Sequence, residues 1–376
     1  MVFIDNMVRT NLVVGAGISG ATVARILADA GEKVTVIDKK DHIAGNCYDY
    51  RDENGIMIHK YGSHIFHTND KEVWDFIRRF TDFNLYMHKV RGVIDGIETT
   101  IPFNLNSLHD VFPKELADRL EKKLIDNYGY GKKVPILEFM KQSDEDLLFL
   151  ADFVYEKVFL HYTMKQWGYK PDEVDGAVTA RVPVYISKDD RYFQDTYQGI
   201  PVKGYTETIR KMMEHPNIEI HLSTDYQDID DSSFNRIFYT GPIDEYCDYV
   251  YGELPYRSVR FEHFTMDCDH YLSNSVVNYP CNYDFTRVHE YKYYLNDKSE
   301  KTVVTKEYSE NFKLGKNERY YPIPKDENMA LYQRYLKKAA AEKKNCFFLG
   351  RLGNYKYYDM WMAIRNAIDL MNSISE

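Results

Sequence analysis

A glycine-rich turn near the amino end of the chain constrains its fold more than any other feature. An apolar run, residues 11–14, enters the pattern Gly15-x-Gly17-x-x-Gly20, and a helix-forming run, residues 21–30, leaves it. Gly15 permits the tight turn, Gly17 lets the backbone approach a pyrophosphate, and Gly20 lets the helix pack on the strand. The free N–H groups at the helix start suit phosphate oxygens. The segment therefore predicts a dinucleotide-binding fold, the alternative being a glycine-rich packing turn.

A second apolar run, residues 34–37, ends in Asp38, whose carboxylate would accept hydrogen bonds from a ribose diol. The same charge would repel a 2′-phosphate, which disfavours NADP. Residues 39–46, 236–242 and 346–371 resemble, in this order, three segments of the glutathione-reductase-like flavoprotein superfamily. This resemblance favours FAD over NAD, although glycine also follows ordinary strands. The candidate FAD-binding residues are Gly15, Gly17, Ser19, Gly20, Asp38, Lys39, Gly45, Asn46, His64, Ile65, Arg351, Asp359 and Met360.

Composition argues against several other classes of protein. The net charge of −10 disfavours nucleic acid or an anionic membrane as a partner. No run approaches the ~20 apolar residues that a membrane span requires, and residues 1–9 lack the apolar stretch of a secretory signal. The five cysteines are scattered without metal-ligand spacing. We therefore expect a cytoplasmic protein with reduced thiols and no metal site.

Periodicity divides the chain into three parts. Apolar residues at helical spacing mark a small helical domain, and alternating apolar and polar residues mark antiparallel strands. The predicted fold class is α/β, with a discontinuous Rossmann-like FAD-binding domain, a small helical domain and an antiparallel β-sheet domain. We expect the FAD-binding domain at residues 1–80, 198–245 and 320–376, the helical domain at 103–165, and the sheet or substrate domain at 81–102, 166–197 and 246–319.

Six further strings carry a resemblance to one family. They are HKYGSHIFHT at 59–68, YTMKQWG at 162–168, RVPV at 181–184, YFQDTYQGIP at 192–201, YYP at 320–322 and GRLGNYKYYDM at 350–360. Together they resemble bacterial UDP-galactopyranose mutases over essentially the whole chain. The resemblance implies an isomerase that interconverts the pyranose and furanose forms of a nucleotide-diphosphate sugar, UDP-galactose above all, for cell-surface polysaccharide. It also implies reduced FAD with a covalent flavin N5–sugar adduct, an external reductant and a homodimer.

The resemblance also implies roles for individual residues. Arg181 and Arg287 match the family's diphosphate arginines, whose planar fork suits phosphate oxygens. Trp167 matches a tryptophan near the sugar, the alternative being plain core packing. His64, favoured over His67, matches the histidine segment against the isoalloxazine, and we expect His64, Trp167 and the two arginines to act in catalysis. The expected substrate-binding residues are Tyr162, Phe159, Tyr192, Tyr321, Tyr357 and Asn278.

Four positions depart from the family pattern around the expected nucleotide and sugar pocket: His88, Val158, His161 and Tyr185. A change of polarity in a buried pocket alters substrate preference strongly. These positions leave dTDP-fucose and UDP-N-acetylgalactosamine open as substrates. Two other classes also stay open, a flavin oxidase or desaturase with the same cofactor fold and a non-catalytic nucleotide-sugar binder.

Overall fold

A parallel sheet carries the glycine-rich turn. The computed structural model describes residues 10–173, 182–342 and 345–375, and within them this sheet has five strands. Their spatial order is Ile218–Leu222, Lys33–Asp38, Thr10–Val14, Arg236–Tyr239 and Cys346–Phe348. All neighbouring strands pair in parallel, so their carboxyl ends meet at one edge. The Rossmann-like arrangement that the sequence predicts is confirmed, with Ile218–Leu222 as an edge strand that the sequence did not single out.

The helix Ile18–Asp29 packs on this sheet and against the helices Tyr205–Met213 and Met360–Ser375. Small side chains on its buried face allow the close approach. The tightest contact is at Gly20, where a Cβ atom would lie 1.9 Å from the carbonyl oxygen of Gly15. Because that neighbour is backbone, position 20 requires glycine.

A second sheet, mostly antiparallel, has seven strands within the described residues. Their order is Tyr321–Pro322, Tyr256–Met266, Thr302–Asn311, Arg287–Glu290, Val276–Asn278, Val90–Ile94 and Ile97–Ile101. Val276–Asn278 and Val90–Ile94 pair in parallel, whereas the other neighbours in this order are antiparallel. Residues far apart in sequence, such as Gly92 and Asn278, thereby become neighbours across the sheet.

Helices dominate the segment that the sequence predicts as helical. They are Leu105–Val111, Lys114–Tyr128, Ile136–Phe139, Glu145–Val154, the π-helical Tyr155–Leu160 and His161–Trp167. Their apolar core includes Leu120, Leu147 and Val154, and it extends to Val90 and Ile101 of the second sheet. The exact division of the chain into three domains stays a prediction.

Shorter elements connect these layers. The remaining strands are Asp49–Arg51, Met57–His59, Phe66–Thr68, Phe83–Asn84, Lys133–Val134, Val184–Tyr185 and Tyr197–Pro201. The remaining helices are Lys71–Arg78, Ile243–Tyr246, Lys292–Leu295, Asp326–Glu342 and Gly350–Gly353, with 3₁₀ turns at Gly45–Cys47, Pro171–Glu173, Tyr226–Asp228 and Asp231–Ser233. Across the described ranges, no helix combines the length and apolar character needed to span a bilayer.

Candidate active site

A cleft of about 730 Å³ lies where the parallel strands end. Residues that follow or close four of the strands line it, namely Gly15, Asp38, Thr240 and Gly350. Ligands of open α/β sheets bind outside the carboxyl ends of the strands. The position and volume of the cleft therefore suit a dinucleotide.

The start of the helix Ile18–Asp29 and a tight turn at 44–45 form the floor of the cleft. Gly45 has a φ of 53°, and a Cβ atom there would lie 3.2 Å from the Cα atom of Gly17. Ala44, the residue before Gly45, also adopts a left-handed φ of 74°. The two turns thus meet backbone to backbone, which leaves room for a pyrophosphate against free N–H groups.

Two backbone N–H groups hold the Asp38 carboxylate at the cleft. Oδ2 accepts a hydrogen bond from Ala16 N at 2.7 Å, and Oδ1 accepts one from Lys40 N at 2.9 Å. A carboxylate has about four lone-pair sites, so further capacity remains for a ribose hydroxyl. Asp38 can therefore fix the loop and bind a ligand at once.

Most of the predicted cofactor residues line this one cleft. Ile65 is the exception, because its side chain packs with Ile56, Ile58 and Ile200 in an apolar cluster. The predicted residues that line the cleft are Gly15, Gly17, Ser19, Gly20, Asp38, Lys39, Gly45, Asn46, His64, Arg351, Asp359 and Met360.

Two walls of the cleft were not predicted from the sequence. One comprises residues 224–226, which follow the unanticipated edge strand, and the other comprises residues 312 and 314–319. Lys40 and Glu318 approach across the cleft, with Nζ and Oε2 3.5 Å apart. Neither wall carries a motif, so only the tertiary fold reveals them.

Arg351 connects the cofactor cleft with a pair of tyrosines. Its guanidinium carbon lies 5.1 Å from the ring centroid of Tyr321 and 5.0 Å from that of Tyr357. The two rings stack with centroids 5.8 Å apart, and the Tyr357 hydroxyl donates to Asp359 Oδ1 at 3.1 Å. Arg351 also donates to the carbonyl oxygen of Tyr358 at 2.7 Å, which fixes its guanidinium. The residues predicted to bind the cofactor therefore lie next to those predicted to bind the substrate.

The helix His161–Trp167 carries the predicted substrate residue Tyr162 and the predicted catalytic residue Trp167. Arg257 anchors its end by donating from Nε to the Gln166 carbonyl oxygen at 2.8 Å. Trp167 is 7% exposed, and its ring centroid lies 5.9 Å from that of Tyr321. The side chain thus belongs to the wall behind the tyrosine pair, so its packing also shapes the site.

Arg287 lies within a buried electrostatic network. Its Nε donates to Glu307 Oε2 at 2.8 Å, and the Glu307 side chain is 1% exposed. Burial alone would raise the pKa of Glu307, but the charge of Arg287 and the hydrogen bond from His289 lower it to about 2. Burial would lower the pKa of Arg287, whereas Glu307 raises it well above its usual value. Both groups are therefore ionised at neutral pH.

Further predicted residues surround this guanidinium. Tyr162 interacts electrostatically with Arg287, Tyr192 and Tyr321, and burial raises the pKa of its hydroxyl. Asn278 is the register partner of Arg287, so the two side chains share one face of the sheet. The buried Oδ1 of Asn278 has no hydrogen-bond partner in the described chain, which suits a polar ligand. These groups can stabilise a diphosphate through one guanidinium and several hydroxyls.

Phe159 is buried in the helical core at 6% exposure, and Tyr192 packs against the same core. It stands in the π-helical segment Tyr155–Leu160, directly before the helix of Tyr162. π-Helical turns within helices occur frequently at functional sites. Val158, one of the four departures, occupies the same core.

The histidine segment reaches the cofactor cleft through His64. Its Nδ1 lies 2.7 Å from the Gly62 carbonyl oxygen, and its backbone N–H donates to His59 Nδ1 at 3.1 Å. Burial lowers the pKa of His64 to about 3, so the ring is neutral at physiological pH. His67 instead lies 2.5 Å, Nδ1 to Oδ2, from Asp195 and stacks on Phe193. His64, rather than His67, therefore lines the cofactor cleft.

Arg181 lies outside the described residues. Of the remaining departures, His88 is buried with its ring centroid 5.7 Å from that of Tyr192. His161 is exposed, and Tyr185 pairs with Lys133 in a short strand. The His88 ring therefore lies against that of a predicted substrate residue.

Glu307, His289 and Ser63 are functional candidates that the sequence analysis missed. His289 Nε2 lies 2.9 Å from Glu307 Oε2, and His289 Nδ1 lies 2.6 Å from Ser63 Oγ. Glu307 falls in the strand Thr302–Asn311, where a charged residue normally marks the solvent face. Only its position opposite Arg287 in the sheet register shows why it is buried.

Comparison with known proteins identifies the class of protein. Residues 13–80 match the NAD(P)-binding Rossmann-like domain, in agreement with the fold and the cleft. Residues 157–357 match the UDP-galactopyranose mutase family. The chain therefore belongs to the UDP-galactopyranose mutase family, and it is an isomerase.

Individual relatives agree with this assignment. A probable UDP-galactopyranose mutase of Klebsiella pneumoniae is 39% identical over 362 residues, which cover 95% of this chain and 92% of the relative. A dTDP-fucopyranose mutase of Escherichia coli is 36% identical, with 95% of this chain and 96% of the relative covered. A crystal structure of reduced UDP-galactopyranose mutase superimposes with a TM-score of 0.72 at 16% identity, covering 97% of this chain and 93% of the other.

A shorter match bears on the cofactor. The flavin-containing amine oxidase B of Rattus norvegicus is 32% identical over 82 residues, 22% of this chain and 15% of the relative. Together with the Rossmann-like segment, this match implies a flavin cofactor. The family implies a nucleotide-sugar substrate.

Proposed function

We propose that the flavin is FAD, bound in the cleft in its reduced form during catalysis. The close backbone approach of Gly45 to Gly17 supports this, since it forms a cradle that a Cβ atom would fill. Gly15, Gly17, Ser19 and Gly20 would hold the pyrophosphate, and Asp38 the ribose. His64, Arg351, Asp359 and Met360 would hold the flavin end, because the start of the helix Met360–Ser375 lines the cleft there.

The proposed reaction is the interconversion of UDP-galactopyranose and UDP-galactofuranose. One observation carries it: Arg351 lines the cofactor cleft and also lies over Tyr321 and Tyr357. A cofactor and a nucleotide sugar can therefore meet at this residue. When bound, reduced FAD would supply the nucleophile for the anomeric carbon.

The protein's own residues would bind the leaving diphosphate and stabilise its negative charge. Within the described chain Arg287 donates to protein through Nε, so its terminal nitrogens can meet phosphate oxygens. Tyr162, Tyr192 and Tyr321 would add hydroxyl donors, and Tyr357 would do so by exchanging its hydrogen bond to Asp359 for one to phosphate. Arg181 is proposed from sequence resemblance as a second diphosphate arginine, and Trp167 as a wall for the sugar. Preorganised cations of this kind stabilise developing charge without reorganising during the reaction.

We further infer the setting in which the enzyme works. A reaction that starts and ends at one oxidation level consumes no electrons, but FAD must first be reduced by an external donor. We propose a cytoplasmic homodimer that supplies galactofuranose for cell-surface polysaccharide. Sedimentation of the holoprotein tests the dimer.

A product assay tests the reaction. The reduced holoprotein is incubated with UDP-galactopyranose, and the nucleotide sugars are separated by chromatography. We expect UDP-galactofuranose with dithionite present and none with oxidised flavin. A parallel incubation with dTDP-fucopyranose tests the substrate. Turnover of that sugar alone would contradict UDP-galactose as the substrate, and furanose formation without reduction would contradict the role of reduced FAD.

A further inference from the structure

A buried chain of hydrogen bonds joins Arg287 to the backbone beside His64. It runs from Arg287 to Glu307, from Glu307 to His289, and from His289 to Ser63, the residue before His64. The Tyr294 hydroxyl closes it by donating to Ser63 Oγ at 2.5 Å. His289 and Glu307 are 0% and 1% exposed, so water cannot replace these bonds. The diphosphate site and the cofactor cleft are thus physically connected.

The chemistry of the groups fixes the direction of each bond. The Glu307 carboxylate can only accept, so His289 Nε2 carries a proton. Burial lowers the pKa of His289, which makes its ring neutral and leaves Nδ1 as an acceptor. Ser63 must therefore donate to His289 and accept from Tyr294. Each hydroxyl has a single allowed orientation, and none of these bonds can reverse without breaking its neighbour.

Gly62, the residue before Ser63, lies near Glu307 at one end of this chain and near His64 at the other. It has a φ of 90°, and a Cβ atom there would lie 3.7 Å from Glu307 Oε2. The Gly62 carbonyl oxygen lies 2.7 Å from His64 Nδ1. A shift of the Glu307 carboxylate therefore reaches Ser63 through His289, and the Gly62 carbonyl oxygen fixes the His64 ring in the same short segment.

We propose that Ser63, His289 and Glu307 are positioning residues that transmit occupancy of the diphosphate site to the environment of the flavin. This inference rests on the proposed function. A bound diphosphate at the terminal nitrogens of Arg287 shares the guanidinium charge with Glu307, which keeps its hydrogen bond to Nε. Glu307 then accepts more strongly from His289, and hydrogen bonds in a chain polarise one another. Ser63 passes the change to the segment 62–64, whose His64 side chain lines the cofactor cleft.

The test is the visible absorption spectrum of the oxidised FAD holoprotein during titration with UDP. UDP binding is measured separately by calorimetry. In the unmodified protein UDP should change the flavin spectrum. In Ser63→Ala we expect the saturated spectral change to fall to about half or less, while the dissociation constant for UDP stays within about threefold. Ser63→Thr keeps the hydroxyl and should restore the change.

Ser275→Ala is a matched control. Ser275 is buried, and its Oγ accepts from the Tyr86 hydroxyl at 2.7 Å, as Ser63 accepts from Tyr294. The Tyr86 and Tyr294 rings are in contact, with centroids 5.3 Å apart, yet Ser275 lies outside the chain. We expect Ser275→Ala to keep the full spectral change.

Three outcomes would overturn the proposal: an unchanged spectral response in Ser63→Ala, no response in the unmodified protein, or lost UDP binding in Ser63→Ala. The last would make Ser63 a plain binding residue. Failure of the proposed function is separate, because it shows as an absence of bound FAD or of furanose product in the unmodified protein.

Discussion

The guanidinium carbon of Arg351 lies 5.1 Å from the ring centroid of Tyr321, which joins the cofactor cleft to the tyrosines on the substrate side. A guanidinium over an aromatic face is attracted by the ring's electron density. Tyr357 offers a second face at 5.0 Å. One cation therefore orders two phenol rings and borders the cofactor at the same time.

Arg351→Met keeps the length of the side chain and removes its charge and donors. The carbonyl oxygens of Tyr320 and Tyr358 then lose their donor, and the tyrosine pair loses its cation. We expect lower flavin content and a fall in kcat/KM of about tenfold or more. Lys356→Met, a nearby exposed position, should change neither quantity. Equal effects of the two variants would contradict a special role for Arg351.

Arg287→Lys keeps a positive charge beside Glu307 but loses the planar fork. We expect kcat/KM to fall about 100-fold, because a point charge cannot replace paired donors to phosphate. Flavin absorbance should remain, since Arg287 does not line the cofactor cleft. The alanine variant is less informative, because it leaves the Glu307 carboxylate buried without its cation. Near-normal turnover of Arg287→Lys would refute the diphosphate assignment.

Gly45→Ala should empty the cofactor cleft. The new methyl group would approach the Gly17 Cα atom to 3.2 Å at a φ of 53°. Gly31→Ala is a suitable control, because Gly31 also has a positive φ, 87°, but open space around it. Both variants should lose about 1 kcal/mol of stability from backbone strain. The ratio of flavin to protein absorbance should fall in Gly45→Ala alone. Equal ratios in the two variants would show that the close approach of Gly45 to Gly17 is not needed for flavin binding.

Stability should fall as the pH drops below about 6.5. Burial, with His289 nearby, lowers the pKa of His59 to about 3, and burial with His289 and Arg287 does the same for His88. The unfolded chain therefore takes up these protons first, and stability is complete only above the unfolded pKa. Each histidine should lower the free energy of unfolding by about 1.4 kcal/mol between about pH 7.5 and 5.5.

Urea denaturation at both pH values measures this effect. His88→Asn removes one of the two groups, so it should reduce the pH dependence by about 1.4 kcal/mol. An identical pH dependence in the variant would show that His88 is protonated in the folded state.

Much of the cofactor cleft could be predicted from sequence because its residues follow strands. Gly15, Asp38 and Gly350 each come directly after, or close, an apolar run, and parallel strands bring their carboxyl ends together. Ile65 shows the limit of this reasoning. It adjoins His64 in the chain, but its side chain joins an apolar cluster.

The polar network behind Arg287 could not be predicted in the same way. Glu307, His289 and Ser63 come from three separate segments, and the pairing of two strands brings Arg287 opposite Glu307. A single buried carboxylate in a strand leaves no periodic signal, because its cost is offset by partners elsewhere in the chain.

The most direct test of the central claim is a crystal structure of the protein with FAD and UDP. We expect the flavin ring beside His64 and Arg351, and a β-phosphate oxygen about 3 Å from the Arg287 guanidinium. A diphosphate bound away from Arg287, or a flavin ring remote from Tyr321 and Tyr357, would contradict a shared site for cofactor and nucleotide sugar.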